Sequence, residues 1–151
     1  MKTLARRQDK DELVQRLHGV RPDSARRWGR MSVHQMVCHA SDAYRMALGQ
    51  KAVSPATSLA QQTIVKWVAL YLPMRWPPGI LTRPEIDQEG GGTTPLDFAA
   101  DLAQLEALLE LTAAQRDLAH ITHPTFGRMS DTDWRRWGYL HLDHHLRQFG
   151  A

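Results

Sequence analysis

The sequence predicts an all-α fold, a four-helix bundle in a single domain spanning residues 1–151. Two observations carry this. Apolar residues recur at three- and four-residue spacing in four separate segments, and no stretch sustains the alternation of a strand. A third observation is size: 151 residues at 42% apolar content suffice for one core. There are no internal repeats.

The first helix is expected over residues 9–19. Leu13, Val14 and Leu17 share a stripe, and Gly19 supplies a stop. Pro22, Asp23 and Ser24 turn the chain. Trp28-Gly29-Arg30-Met31 leads to Ser32, an N-cap type, and a second helix follows to Leu48 with Gly49 as its end. Met36, Ala40, Ala43 and Ala47 give it an apolar face of mostly small side chains, which permits close packing.

Residues 95–114 form the next bundle helix. Leu102, Leu105, Leu109 and Thr112 keep the spacing, and Thr94-Pro95 is the expected start. His120 to Met129 reads as a loop containing His123-Pro124 and Gly127. Ser130, with Asp133 three residues on, makes a variant capping box for a last helix that runs to about Phe149 and stops at Gly150.

Between the second and third bundle helices lies an insertion of about residues 50–94. An extra helix is expected over residues 58–72, followed by Pro73, Pro77-Pro78-Gly79, Pro84 and Gly90-Gly91-Gly92. Trp67, Tyr71, Trp76 and Ile80 mark it as packed rather than floating, so a cover or a dimer arm is expected.

Composition narrows the function. The net charge of +3 comes from 19 basic and 16 acidic residues, scattered except for three Arg-Arg pairs, so no nucleic-acid partner is expected. One cysteine, Cys38, excludes an internal disulfide. The first seven residues lack the apolar core of a secretion signal. The apolar run Ile64 to Leu72 is broken by Lys66 and too short for a bilayer. A cytoplasmic protein without a membrane partner is expected. Gly90-Gly91-Gly92 lacks the Lys-Ser or Lys-Thr of a phosphate loop.

The chemistry concentrates in the last helix. His141 and His145 are four apart and so lie one turn apart on one face. Trp134, Trp137 and Gln148 share that stripe, which therefore faces the core. Inward imidazoles are either core histidines bonded to carbonyls or the ligands of a metal ion. His39, two turns into the second helix, reaches a matching depth and would complete a three-histidine site with positions left for substrate. A rival set joins His34 and Cys38, also four apart, to His141 and His145 as a closed four-ligand site. Otherwise Cys38 is a buried inert thiol. His144, about 100° around the helix, is expected with Asp143 to serve the surface, a subunit contact or the support of a ligand from behind.

The run His123-Pro124-Thr125-Phe126-Gly127, Trp134, Tyr139 and His141 to Gly150 resembles the DinB-like superfamily, and within it the DUF1569 branch. Trp28-Gly29, Met36 to Ala40 and Met46 to Gly49 resemble that group's second helix. The resemblance implies an up-down-down-up bundle with its long crossover at the insertion. It implies a divalent metal, zinc or nickel, on His39, His141 and His145. The Gln three residues after a histidine, matched by His145 and Gln148, fixes that register against His144. Relatives include transferases that use mycothiol, bacillithiol or glutathione, and dimers are common among them.

Two functions follow. One is an enzyme, a metal-dependent S-transferase that uses a low-molecular-weight thiol on a small electrophile, or a hydrolase if water replaces the thiol. Asp42 is the only candidate base nearby. The other is a non-catalytic metal- or small-ligand-binding stress-response protein, which predicts a closed metal shell with no pocket above it.

Overall fold

The computed structural model describes residues 1–151. The fold is mostly helical, with five α-helices: α1 Arg7–His18, α2 Val33–Ala47, α3 Lys66–Tyr71, α4 Phe98–Ala114 and α5 Asp131–Gln148. Two short strands, β1 Thr122–His123 and β2 Gly127–Arg128, pair antiparallel with His123 opposite Gly127. That hairpin departs from the loop expected there. Two residues per strand are too few to show an alternating pattern in sequence.

The caps follow the side chains. Ser32 accepts from the Gln35 amide while Gln35 reaches back to the Ser32 amide, and Ser130 with Asp133 does the same for α5. Each such pair satisfies two of the unpaired amides at a helix start and contributes about 1 kcal/mol. α4 begins later than expected because Asp97, not Thr94, caps it, accepting from the Ala100 amide.

The long helices α1, α2, α4 and α5 bury one shared core. Leu13 and Leu17, Met36 and Val37, Leu105 and Leu109, and Leu142 and Leu146 are all sealed from solvent in it. The α2–α5 approach is close: Tyr44 Oη donates to the Gly138 carbonyl at 2.9 Å. A Cβ at Gly138 would stand 2.8 Å from Leu4 Cδ1 and 3.2 Å from Tyr44 Cε1, so only glycine admits this contact.

The expected 58–72 helix exists but is not uniform. Gln61–Val65 is a π-helical turn and passes into α3. A second core holds the insertion down: Leu70 packs with Ala43, Met46 and Ala47 of α2 and with Trp134 and Trp137 of α5. Both ends of the insertion converge on one buried carboxylate. Asp42 accepts from Lys51 Nζ, the Thr93 amide and Thr93 Oγ1, each at 2.7 Å. Burial pushes this carboxyl up, but the Lys51 and Thr93 bonds outweigh it and hold it below its ordinary value. Asp42 is thus a buried, ionised anchor whose oxygens are taken up by Lys51 and Thr93. Further along, the Ala56 amide donates to the Pro124 carbonyl at 2.8 Å, and Arg136 donates to the Leu70 carbonyl. No helix is long and apolar enough to cross a membrane.

Candidate metal centre

His39 comes from the middle of α2, and His141 and His145 come from successive turns of α5. Their ring centroids lie 5.2 Å (His39–His141), 4.8 Å (His39–His145) and 4.7 Å (His141–His145) apart. One ligand nitrogen from each falls within 4.8 Å of the other two, close enough to share one ion.

Two of the rings are held from behind. His39 Nδ1–H donates to the Ile86 carbonyl at 2.8 Å. His145 Nδ1–H donates to Gln148 Oε1 at 3.0 Å, and Gln148 Nε2 donates to the Trp28 carbonyl at 2.9 Å. Each bond fixes the tautomer and leaves the Nε2 lone pair free, the arrangement that supports a metal-ligating histidine. Gly29 makes room for the second brace. Its φ is +79°, and a Cβ there would stand 2.6 Å from Gln148 Nε2. His141 is different: its ring stacks on Trp137 at 4.9 Å, and its Nδ1 is buried with no partner.

Electrostatics point the same way. Burial holds His39 below its ordinary value against the opposing pull of the Ile86 bond. Burial, then the neighbouring imidazoles, holds His141 and His145 well below theirs. Neutral imidazoles are the form that ligates. Two buried imidazoles and one half-buried one, with an orphaned nitrogen on His141, place their ligand atoms close enough to fit a divalent cation.

The cluster floors a cavity of about 520 Å³. The insertion forms much of its wall with Val65, Val68, Trp76 and Ile80, while Phe126 and Trp137 close the far side. The insertion is therefore a cover over the site, one of its two expected roles.

The rival four-ligand set does not form. His34 and Cys38 face α4, where His34 Nε2 meets Asp101 Oδ2 at 2.7 Å and Cys38 Sγ donates to the same oxygen at 3.7 Å. A helix carries positions 34 and 38 on one face and position 39 about 100° round from 38, so one face cannot serve both groups. Burial, then Asp101, pushes the Cys38 thiol up to about 12, so it is inert. His144 is corrected too. It is buried, not at the surface, with its ring 5.8 Å from Trp28, and it lines the cavity. Trp28 and Trp76 come from outside the bundle helices, so the periodicity of α5 gave no hint of them. Ile86 was missed because it acts through its backbone carbonyl, which carries no side-chain signature.

No curated protein and no solved structure matches the chain. A family model described as "Protein of unknown function (DUF1569)" matches residues 6–151. The chain therefore belongs to the DUF1569 family.

Proposed function

We propose that this protein is a metal-dependent enzyme that joins a low-molecular-weight thiol to a small apolar electrophile. The observation that carries the reading is the position of His39, His141 and His145, with converging donors, on the floor of an apolar cavity. The donor set suits zinc or nickel. When bound, such an ion supplies Lewis acidity, holding a coordinated thiol as its thiolate. The chain's own part is positioning. Ile86 and Gln148 orient two ligands, and Trp137, Phe126 and Trp76 keep water away from the electrophile. The new carbon–sulfur bond forms as the leaving group departs with its electron pair, or as a strained ring opens.

Two features favour this over the other readings. A non-catalytic metal protein needs no substrate-sized space above the ion, and a cavity of about 520 Å³ lies there. A hydrolase would be helped by a base beside the water, and Asp42, spent on Lys51 and Thr93, supplies none. A thiolate needs no such base. The test is a conjugation screen of metal-loaded protein with several thiols against 1-chloro-2,4-dinitrobenzene and an epoxide. Turnover lost in His141→Ala is expected. No turnover with any thiol, in protein that holds stoichiometric metal, overturns the transferase reading.

We also read the four long helices as the up-down-down-up bundle of the DinB-like superfamily, with the 50–94 insertion as its crossover, and the chain as a cytoplasmic homodimer. Leu59, Ile64 and Trp67, all exposed on the insertion, suit a subunit contact. Sedimentation of wild type and Trp67→Glu checks this, with a shift from dimer to monomer expected.

A further inference from the structure

We propose that His123 is a substrate-binding residue whose Nε2–H donates to a carbonyl oxygen of the apolar molecule bound in the cavity. The inference deepens the proposed function by naming an acceptor group on the substrate, and it rests on that reading of the cavity.

His123 ends β1, and the tight turn Pro124-Thr125-Phe126 folds back over it. The amides of Thr125 and Phe126 both donate to His123 Nδ1, each at 3.1 Å. A nitrogen that accepts two N–H bonds carries no proton, so the ring's hydrogen is on Nε2. The ring is stacked on Phe126 at 4.7 Å and flanked by Trp134 and Trp137 at 5.4 and 5.2 Å. Three aromatic neighbours offer no acceptor in their ring planes, and no protein group accepts from Nε2. Yet His123 lines the cavity, and Nε2 is not among the atoms sealed away without a partner, unlike Nδ1 of His141 and His144.

A donor 6% exposed as a residue, locked in one tautomer and turned to an apolar space is costly to leave unpaired. Burial holds this imidazole down to about 3, so it stays a neutral donor across the physiological range. It does not act as an acid. Its neutrality suits a neutral acceptor such as a ketone or ester carbonyl, because a neutral donor polarises that oxygen without moving a proton. Trp137 lies between it and the metal cluster, 5.2 Å from His123 and 4.9 Å from His141. His123 and His141 thus line one cavity with Trp137 in contact with both, so a single bound molecule can reach the two rings.

The test uses two molecules of one shape, 2-acetylnaphthalene and 2-ethylnaphthalene, with full-length protein. By equilibrium dialysis, His123→Phe should weaken the ketone roughly tenfold and leave the hydrocarbon within about twofold. Because that variant also strands the Thr125 and Phe126 amides, a second measurement uses wild type alone. The infrared carbonyl stretch of bound ketone should lie below its position in hexane, and should stay there after chelation of the metal. Equal losses for both molecules, no binding of the ketone to wild type, or a stretch that returns to the hexane position on chelation each overturn the inference. Metal content is measured separately, so failure of the metal reading shows there and not in the stretch.

Discussion

Helix α2 carries a polar cluster on each of two faces, and the two are built on opposite plans. On the α4 side, His34, Cys38 and Asp101 spend their polar atoms on one another: Asp101 accepts from Cys38 and from the Leu96 amide and pairs with His34. On the α5 side, His39 and His145 spend their outer nitrogens on Ile86 and Gln148 and hold their inner ones free. Both groups place donor atoms within 4.8 Å of each other, so proximity alone does not separate them. What separates them is where the hydrogen bonds go. A cluster closed on itself clamps two helices; a cluster braced from outside keeps its inner nitrogens free for a ligand.

The largest effect should fall on metal content. His39→Ala, His141→Ala and His145→Ala should each lose the ion, by more than the roughly 10–100-fold that removal of an outer brace costs. Cys38→Ser should keep it in full. Elemental analysis of purified protein reads this directly. Metal lost in Cys38→Ser and kept in His39→Ala would invert the comparison.

Acid should separate the faces next. A histidine held at about 3 when folded, against 6.5 ordinarily, binds its proton more readily in the unfolded chain. Its contribution to stability is therefore complete above pH 6.5 and drains away as pH falls towards 3. For His123 this amounts to about 1.4 kcal/mol per pH unit within that window. On the other face, burial raises Asp101 but its bonds from Leu96 and His34 outweigh this, and it sits below its ordinary 3.8. A depressed carboxyl loses its contribution only below that value. Urea unfolding of chelated protein from pH 6.5 to 4.5 should thus show a shallower slope in His123→Phe and an unaltered one in Asp101→Asn.

The contrast between the faces also marks what a sequence discloses. The three-histidine cluster was legible because helical spacing fixes His141 and His145 on one face, and Trp134 and Trp137 mark that face as inward. The bundle helices were legible through Ser32, Ser130, Gly49 and Gly150 at their ends. The braces were less so. Gln148 stood in register, but its role depends on the Trp28 carbonyl, 120 residues away. Ile86 and the paired ends of the insertion at Asp42 depend on backbone atoms and on long-range closure, which no local pattern encodes. His144 was misplaced because a helix face turned from the bundle reads as surface until Trp28 and Trp76 cover it.

The braces give the next prediction. Gln148→Leu removes the acceptor of His145 Nδ1–H and the donor to Trp28 together, while preserving volume. Metal affinity should fall about 10–100-fold, with zinc affinity measured by competition against a chromophoric chelator. An unchanged affinity would mean that His145 is held by packing alone. The equivalent change on the α4 face, Asp101→Asn, should leave metal affinity where it was.

The smallest effect should come from Gly29→Ala, which touches no ligand. At φ +79° an alanine costs about 1–2 kcal/mol in backbone strain. Its Cβ would also stand 2.6 Å from Gln148 Nε2, the flexible end of that side chain, so Gln148 can yield by losing its bond to Trp28. His145 then keeps an acceptor that is no longer itself held. Stability should drop by about the strain alone, and metal affinity by less than the Gln148→Leu loss but measurably. The two readouts separate the roles of the turn. If stability falls and metal affinity does not move, Gly29 serves only the chain reversal before α2. If both fall, the Trp28-Gly29 turn is part of the metal site, three contacts out from the ion and on the far side of the bundle from the clamp at Asp101.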